Sequence, residues 1–366
     1  MKHILILANS DIGLYAFRKE LIEELLKQYR VTISLPYGDK VDEFISMGCQ
    51  YIETVVDRRG INPIKDIRLI LKYCRIVRNI KPDVVLTYTI KSNVYGGIAC
   101  ALKGIPYIVN VTGLGAAFEN SAVVRTIATL LYKAGMKKCS CIFFQNSDSQ
   151  ERLLPLLNKD LRNKLIPGSG VNTTQFQFRD YPDNGGSIIF NYIGRIMKIK
   201  GIEEFLYCSK LIKEKYPNIV FNVIGSFDDN QYESIVNEYN NLGIIRYIGH
   251  CNDMKPFIQE SNAIIHAGHS EGMSNVLLEH CSMGRPCIAP NIPGCREIVD
   301  DGKNGFLFEV ANAKDMLKKL EAFIRLDHEE KAKMGYMARK KVEMEFERSI
   351  VVKQYLKTID EALSII

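Results

Sequence analysis

The sequence predicts an α/β fold made of two Rossmann-like halves, each a doubly wound parallel sheet, facing one another across a deep cleft. Three observations lead there. The chain has 366 residues and is 46% hydrophobic, enough to bury two cores. Short β-rich runs alternate with helical patterns on both sides of the centre, and that alternation builds parallel sheets covered by helices. Between the halves, Ile166 to Asn172 and then Tyr181 to Gly186 concentrate turn-forming residues, which places the linker.

In the first half, strands are expected at Ile4 to Ala8, Val31 to Leu35, Tyr51 to Val55, Val84 to Thr87, Tyr107 to Val111 and Cys141 to Gln145. Helices are expected at Tyr15 to Lys27, Val41 to Met47, Ile64 to Ile80, Val94 to Leu102 and Val123 to Lys137. The second half repeats the pattern. Strands at Ile188 to Ile193, Val220 to Ile224, Ile245 to Ile248 and from Ala263 interleave with helices at Ile202 to Lys215, Gln231 to Leu242 and Met254 to Glu260. Strands at Cys287 to Ala289 and Gly305 to Phe308 and two long C-terminal helices follow. In such sheets ligands bind beyond the carboxyl ends of the strands.

Composition narrows the function classes. The opening MKHILILAN has too short an apolar run for a secretory leader and no small-residue cleavage site, and no segment reaches the roughly 20 apolar residues of a membrane span. Ten cysteines occur without a CxxC pair, which reads as free thiols in a reducing cytosol. Residues 1 to 175 hold 24 Lys+Arg against 15 Asp+Glu, and the remainder 24 against 27, so the halves carry +9 and −3. A basic first half either meets an anionic partner, such as a phosphorylated lipid or membrane surface, or presents solvated lysine-rich helices.

The stretch Ala263 to Pro290, AIIHAGHSEGMSNVLLEHCSMGRPCIAP, concentrates the chemistry. On one continuous helix Glu271 and Glu279 would stand about 12 Å apart along the axis, too far to share one small group. A strand ending at His266, a turn from Gly268 to Gly272 and a helix capped by Ser274 or Asn275 resolve this. Glu271 then lies in the loop and Glu279 in the second helical turn. The amides of Gly272, Met273, Ser274 and Asn275 at that helix start suit phosphate, and the carboxylates suit sugar hydroxyls. A nucleotide sugar fits both.

At Gly194-Arg195-Ile196-Met197-Lys198-Ile199-Lys200-Gly201, a strand runs into a glycine that leaves room for a ligand, with Arg195 and Lys200 flanking a turn into a helix. Two fixed cations can stabilise a departing diphosphate. The alternative is a structural ion pair with Glu203 or Glu204. No DxD cluster is placed to hold a metal, and Asp228-Asp229 and Asp300-Asp301 read as turns.

First-half candidates are less specific. Gly13, beyond the first strand, could admit a phosphate, but the loop is no GxGxxG, which disfavours NAD. Lys91 is a candidate cation for an acceptor phosphate, or a surface lysine. Thr112 and Gly113, in Asn110-Val111-Thr112-Gly113-Leu114-Gly115, are expected to border the cleft. In the helix Ile64 to Ile80, Lys65, Arg68, Lys72 and Arg75 form a basic stripe beside Ile67, Ile70, Leu71 and Val77, preceded by Arg58 and Arg59. That stripe could face a membrane or simply water.

The GRxxxxKG of Gly194 to Gly201, followed by the E-x7-E of Glu271 and Glu279, resembles the retaining glycosyltransferases of family 4, which have the GT-B fold. The likeness covers essentially the whole chain, including IPGSGVNTTQF and the Arg285 to Ala289 strand. It implies that Arg195 and Lys200 bind the donor pyrophosphate, that Glu271 meets the transferred sugar and that Glu279 grips the ribose. It implies an acceptor-binding domain over residues 1–170, a nucleotide-sugar-binding domain over 171–348, and a closing helix at 349–366 that returns to the first. Many members carry a histidine where this chain has Thr112, so Thr112 or Gly113 would take over that contact. The VTGLGAAF version resembles the branch that builds capsule, O-antigen and lipid-linked oligosaccharides. The resemblance therefore implies a UDP-sugar donor, a polyprenyl-diphosphate-linked saccharide acceptor and no cofactor or metal. It also implies a peripheral position on the cytoplasmic face of the inner membrane, and no nucleic-acid partner. A GT-B sugar-nucleotide epimerase and a non-catalytic nucleotide-sugar-binding subunit are the alternatives.

Overall fold

The computed structural model describes residues 1–57, 62–114, 122–158 and 160–364. The chain forms two compact units, Met1–Ser169 with Ser349–Ile366, and Gly170–Arg348. Arg58, Arg59 and Gly115 lie outside the described residues.

The first unit runs β1 (His3–Leu7), α1 (Asp11–Leu26), β2 (Arg30–Leu35), α2 (Val41–Ser46), β3 (Gln50–Glu53), α3 (Pro63–Ile80), β4 (Val84–Tyr88), α4 (Gly97–Lys103), β5 (Tyr107–Val111), α5 (Ala122–Met136), β6 (Cys141–Phe144), α6 (Ser147–Leu153) and β7 (Asn163–Leu165). The second runs β8 (Ile189–Ile193), α7 (Ile202–Lys215), β9 (Val220–Ile224), α8 (Glu233–Asn241), β10 (Arg246–Gly249), α9 (Lys255–Glu260), β11 (Ala263–Ile265), α10 (Asn275–Ser282), β12 (Cys287–Pro290), β13 (Gly305–Phe308), α11 (Ala313–Arg325) and α12 (His328–Lys341). The last helix, α13 (Arg348–Leu363), belongs almost wholly to the first unit. Among the described residues one sheet has the order β3-β2-β1-β4-β5-β6-β7 and the other β10-β9-β8-β11-β12-β13, with every pairing parallel. Both are doubly wound, as the alternation predicts.

Several local features differ from expectation, among them three helices rather than two after β13. α1 begins at Asp11 rather than Tyr15, because Ser10 Oγ accepts the N–H of Gly13 at 3.1 Å and caps the helix. Gly13 is thus a helical residue whose amide is already engaged, not a loop glycine open to phosphate. The helix expected from Val94 is preceded and opened by a turn of π-helix, Ser92–Gly96, leading into α4. In α3 the buried stripe is Leu69, Tyr73, Ile76 and Val77, whereas Ile67 and Leu71 are exposed on the same helix as the basic residues.

α13 is locked onto the first sheet by its aromatic residue. Tyr355 is fully buried, its ring 4.6 Å from that of Phe143, and its hydroxyl donates to Asn110 Oδ1 on β5. The buried Arg18 guanidinium lies 5.1 Å from the Tyr88 ring and 5.4 Å from that of Tyr355. Asn110 in turn donates to the Thr87 carbonyl at 2.9 Å, so α13 holds the end of β5 that leads to Thr112 and Gly113.

The two ends of the second unit run together. The Val171 N–H donates to the Phe346 carbonyl at 2.8 Å and the Arg348 N–H to the Val171 carbonyl at 2.9 Å. A Cβ on Gly170, whose φ is +64°, would stand 2.9 Å from Arg348 Cα. Only glycine satisfies both the dihedral and the approach.

Truncating Tyr355 removes the ring contacts and leaves Arg18 facing a void. Tyr355→Ala should destabilise the protein by about 3–5 kcal/mol, the range for aromatic-to-alanine truncations in cores. A urea midpoint equal to that of the wild type would show that α13 is not held this way.

Candidate functional site

In the second unit, β8 and β11 are neighbours, and each delivers one of the two motifs at its carboxyl end. After β8, Gly194 donates its N–H to the Ile224 carbonyl at 3.0 Å, and the space where its side chain would stand is open. After β11, the loop 266–274 carries Glu271 and leads into α10. A stacked set of contacts ties the motifs together. A Cβ on Gly201, whose φ is +72°, would fall 2.0 Å from the Ala267 carbonyl oxygen. The His269 N–H donates to the Ile199 carbonyl at 2.9 Å, and the Tyr192 hydroxyl to the Lys200 carbonyl at 3.0 Å. The His269 ring meets Glu204 Oε1 at 3.0 Å. The glycine that ends one motif is what lets the other approach.

Within this frame Lys200 Nζ forms an ion pair with Glu271 Oε1, both side chains mostly buried. His266 Nε2 stands 3.2 Å from the same oxygen. Burial alone would push the Glu271 carboxyl up, but His266 and Lys200 outweigh it and hold it at about 2. Arg195, more than half exposed, pairs with Asp228 Oδ2 at 3.1 Å. The alternative partners Glu203 and Glu204 are engaged elsewhere, by Lys198 and Tyr232 and by His269. Asp228, read as a turn residue, is therefore the group that anchors Arg195.

α10 starts where expected. Ser274 is its N-cap with extended dihedrals, yet its side chain makes no cap bond, and its buried Oγ has no hydrogen-bond partner among the described residues. Its own N–H donates to the Gly294 carbonyl at 3.0 Å, which corrects the expectation that this amide is open to a ligand. A Cβ on Gly294 would stand 2.7 Å from the Gly272 carbonyl, so the 291–297 loop buttresses the Glu271 loop from behind. Met273 is buried in the core below α10, and Asn275, at the helix start, is half-buried. Glu279, the fifth residue of α10, is half-buried. Burial pushes it up to about 7, with the charge of Arg348 opposing.

The second unit thus holds Gly194, Arg195, Lys200, Glu271, Gly272, Met273, Ser274, Asn275 and Glu279, while Gly13, Lys91, Thr112 and Gly113 belong to the first. Thr112 is exposed and Gly113 has φ +141°. Lys91 forms an ion pair with Asp66 at 2.7 Å, with both side chains largely covered, so its charge is shared with an acid on α3. The sequence did not single out His266, His269, Gly294 or Arg348. The Pro293-Gly294 pair marks a turn but not what it touches.

Known proteins supply the family. Residues 173–341 match the family described as glycosyl transferases group 1, and residues 3–146 match glycosyl transferase 4-like. The N,N'-diacetylbacillosaminyl-diphospho-undecaprenol alpha-1,3-N-acetylgalactosaminyltransferase of Campylobacter jejuni is 23% identical over 98% of both chains. The UDP-Gal:alpha-D-GlcNAc-diphosphoundecaprenol alpha-1,3-galactosyltransferase of Escherichia coli is 26% identical over 81% of both. Among solved structures, Anabaena HepE in complex with UDP-glucose superposes with a TM-score of 0.79 at 16% identity, over the full length of both chains.

The strained group at the site has a measurable signature. The folded state raises the Glu279 pKa above its ordinary 4.5 to about 7. The folded protein therefore favours the protonated acid, and stability is lost as pH rises through that window. In ligand-free protein Glu279→Gln should raise stability above neutrality by about 1–3 kcal/mol and have little effect at about pH 4. A gain of equal size at both pH values in thermal melts would refute the burial account.

Proposed function

Because the chain belongs to the family-4 glycosyltransferases with the GT-B fold, we propose that it moves a hexose or N-acetylhexosamine from a UDP-sugar to a polyprenyl-diphosphate-linked saccharide, with retention at the anomeric carbon. The product would enter a bacterial surface polysaccharide or lipid-linked glycan. The relatives from Campylobacter jejuni and Escherichia coli, whose names specify undecaprenyl-diphosphate-linked acceptors, support the acceptor class. The Escherichia coli name and the HepE complex support a uridine diphosphate donor. The observation that carries the reading is the fastening of a cation-bearing turn to a carboxylate-bearing loop around the open face of Gly194.

In the proposed mechanism the second unit binds the donor. The diphosphate lies over Gly194, at the first turn of α10, where helix amides attract anions. Arg195 and Lys200 stabilise the charge that grows on it as the glycosidic bond breaks. Glu271, held ionised, accepts hydroxyl hydrogen bonds from the sugar, and Glu279 accepts those of the ribose. Two hydroxyl donors compensate the desolvated Glu279 carboxylate, so nucleotide binding offsets the cost of its burial. The leaving phosphate oxygen takes the acceptor proton on the face it departs from, with no metal required. The first unit, through Thr112 and Gly113, receives the acceptor.

The first unit also offers a surface for the lipid. Exposed Ile64, Ile67 and Leu71 accompany Arg68, Lys72 and Arg75 on α3, beside a cavity of about 670 Å3 lined by Lys65, Arg68, Lys72 and Lys91 together with Asp57 and Asp66. Apolar side chains entering the interface and cations meeting phosphate headgroups are the two contributions that peripheral attachment needs. None of the described helices is long and apolar enough to cross a membrane.

Turnover in EDTA should persist, and in the same assay Arg195→Ala and Lys200→Ala should each lower kcat by about 10²–10³-fold. A strict need for divalent ions would end the metal-free mechanism, and near-normal turnover in either variant would end the leaving-group role. Glu279→Gln should weaken UDP binding in calorimetry, and unchanged affinity would overturn the ribose contact. Vesicles containing anionic lipid should retain the wild type and release Arg68→Glu/Lys72→Glu. Equal retention of both proteins would move the membrane contact away from α3.

A further inference from the structure

The outer face of α5 is at odds with a surface built for water. Tyr132 and Met136, four residues apart, are buried in the core beneath the helix. At 3.6 residues per turn the side directly opposite carries Ile127, Leu130 and Ala134. Ile127 is 53% exposed, Leu130 60% and the neighbouring Leu131 36%. A helix covering a sheet ordinarily turns polar residues outward, so an apolar outer ridge marks a face that meets something other than water.

Charge identifies that partner. Residues 84–147 contain Lys91, Lys103, Arg125, Lys133, Lys137 and Lys138 against a single acid, Glu119. α5 itself has no Asp or Glu. Lys133 is exposed beside the ridge, and Lys137 and Lys138 are exposed at its carboxyl end. A second copy of this chain would bring the same cations against these and be repelled. An anionic bilayer matches both the ridge and its positive rim.

The helices α3 and α4 share that side of the sheet. One core cluster contains Leu69 and Tyr73 of α3, Ala99 and Cys100 of α4, and Tyr132 and Met136 of α5, with α4 packed between its two neighbours. On α4, Leu102 is 69% exposed beside an exposed Lys103. The apolar and basic groups of α3 are therefore continued across α4 to α5. Acids interrupt the pattern only at α3, where Lys65 pairs with Asp57 and Lys91 with Asp66.

We propose that α5 is an inserting helix of the first unit: Ile127, Leu130 and Leu131 enter the acyl boundary of an anionic bilayer, and Lys133, Lys137 and Lys138 meet its headgroup phosphates. This rests on the reading of the first unit as the half that receives a lipid-linked acceptor at a membrane. Cations alone hold a protein at such a surface weakly once salt screens them, and apolar insertion makes the attachment persist. With α3 as the other line of contact, the unit is held at two places and its rotation on the membrane is fixed. A single helix would leave it free to roll.

The chain contains no tryptophan, so Leu130→Trp places a single indole on the ridge. With the full chain and vesicles of phosphatidylglycerol and phosphatidylcholine, its emission should shift to the blue and be quenched when the acyl chains are brominated. Ile127→Ser/Leu130→Ser should lower the vesicle partition coefficient by about 10–100-fold, as expected for withdrawing two partly inserted aliphatic side chains. Both residues are exposed, so the thermal melt of this variant should match that of the wild type. Binding with neither blue shift nor quenching, or equal partitioning of the double variant and the wild type, overturns the insertion of α5 and leaves the α3 contact standing. Emission that shifts with rising protein concentration in the absence of vesicles gives the ridge to a second copy and overturns the proposal as well. A wild type that fails to bind these vesicles even at low salt removes the membrane reading of the first unit and this inference with it.

Discussion

The second unit is organised around the contact between the Gly201 backbone and the Ala267 carbonyl. Neighbouring parallel strands place two turns side by side, but only a residue without a Cβ, at positive φ, lets the start of α7 press against the turn after β11. Everything chemical in the unit depends on that approach. It brings Lys200 within reach of Glu271 and sets the His269 amide on the Ile199 carbonyl. The ion pair is therefore a consequence of packing.

The electrostatics of the two carboxylates diverge for the same reason of placement. Glu271 sits where a lysine and a histidine meet it, and it stays ionised through the physiological range. Glu279, eight residues on, is half-buried and is pushed up to about 7 by burial, with the charge of Arg348 opposing. The same environment that keeps one glutamate ionised is missing at the other, and burial decides there instead.

Much of this was legible in the residues. β1, β4, β5, β6, β8 and β9 are nearly continuous apolar runs, and such runs in α/β proteins are buried on both faces. β7, reading Asn-Lys-Leu, carries no such signal, because its three residues form a strand only through pairing with β6 at the sheet edge. α6 escaped notice as a seven-residue polar helix, SDSQERL, whose start depends on the Asn146 side chain accepting the Ser149 N–H. At the site, spacing separated the loop glutamate from the helical one. It could not show that Asp228 anchors Arg195, that the Ser274 amide is taken by Gly294, or that His266 faces Glu271. Those are contacts between segments far apart in sequence or across a turn, and periodicity does not encode them.

The side-by-side passage of the chain at Val171 and Phe346 has a further consequence. A segment whose entry and exit strands are hydrogen-bonded to one another can be replaced by a homologous segment with both splice points at a single place. The neighbouring α13 would be left in its own packing environment. Residues 170–348 therefore form a natural cassette whose two ends meet at one place.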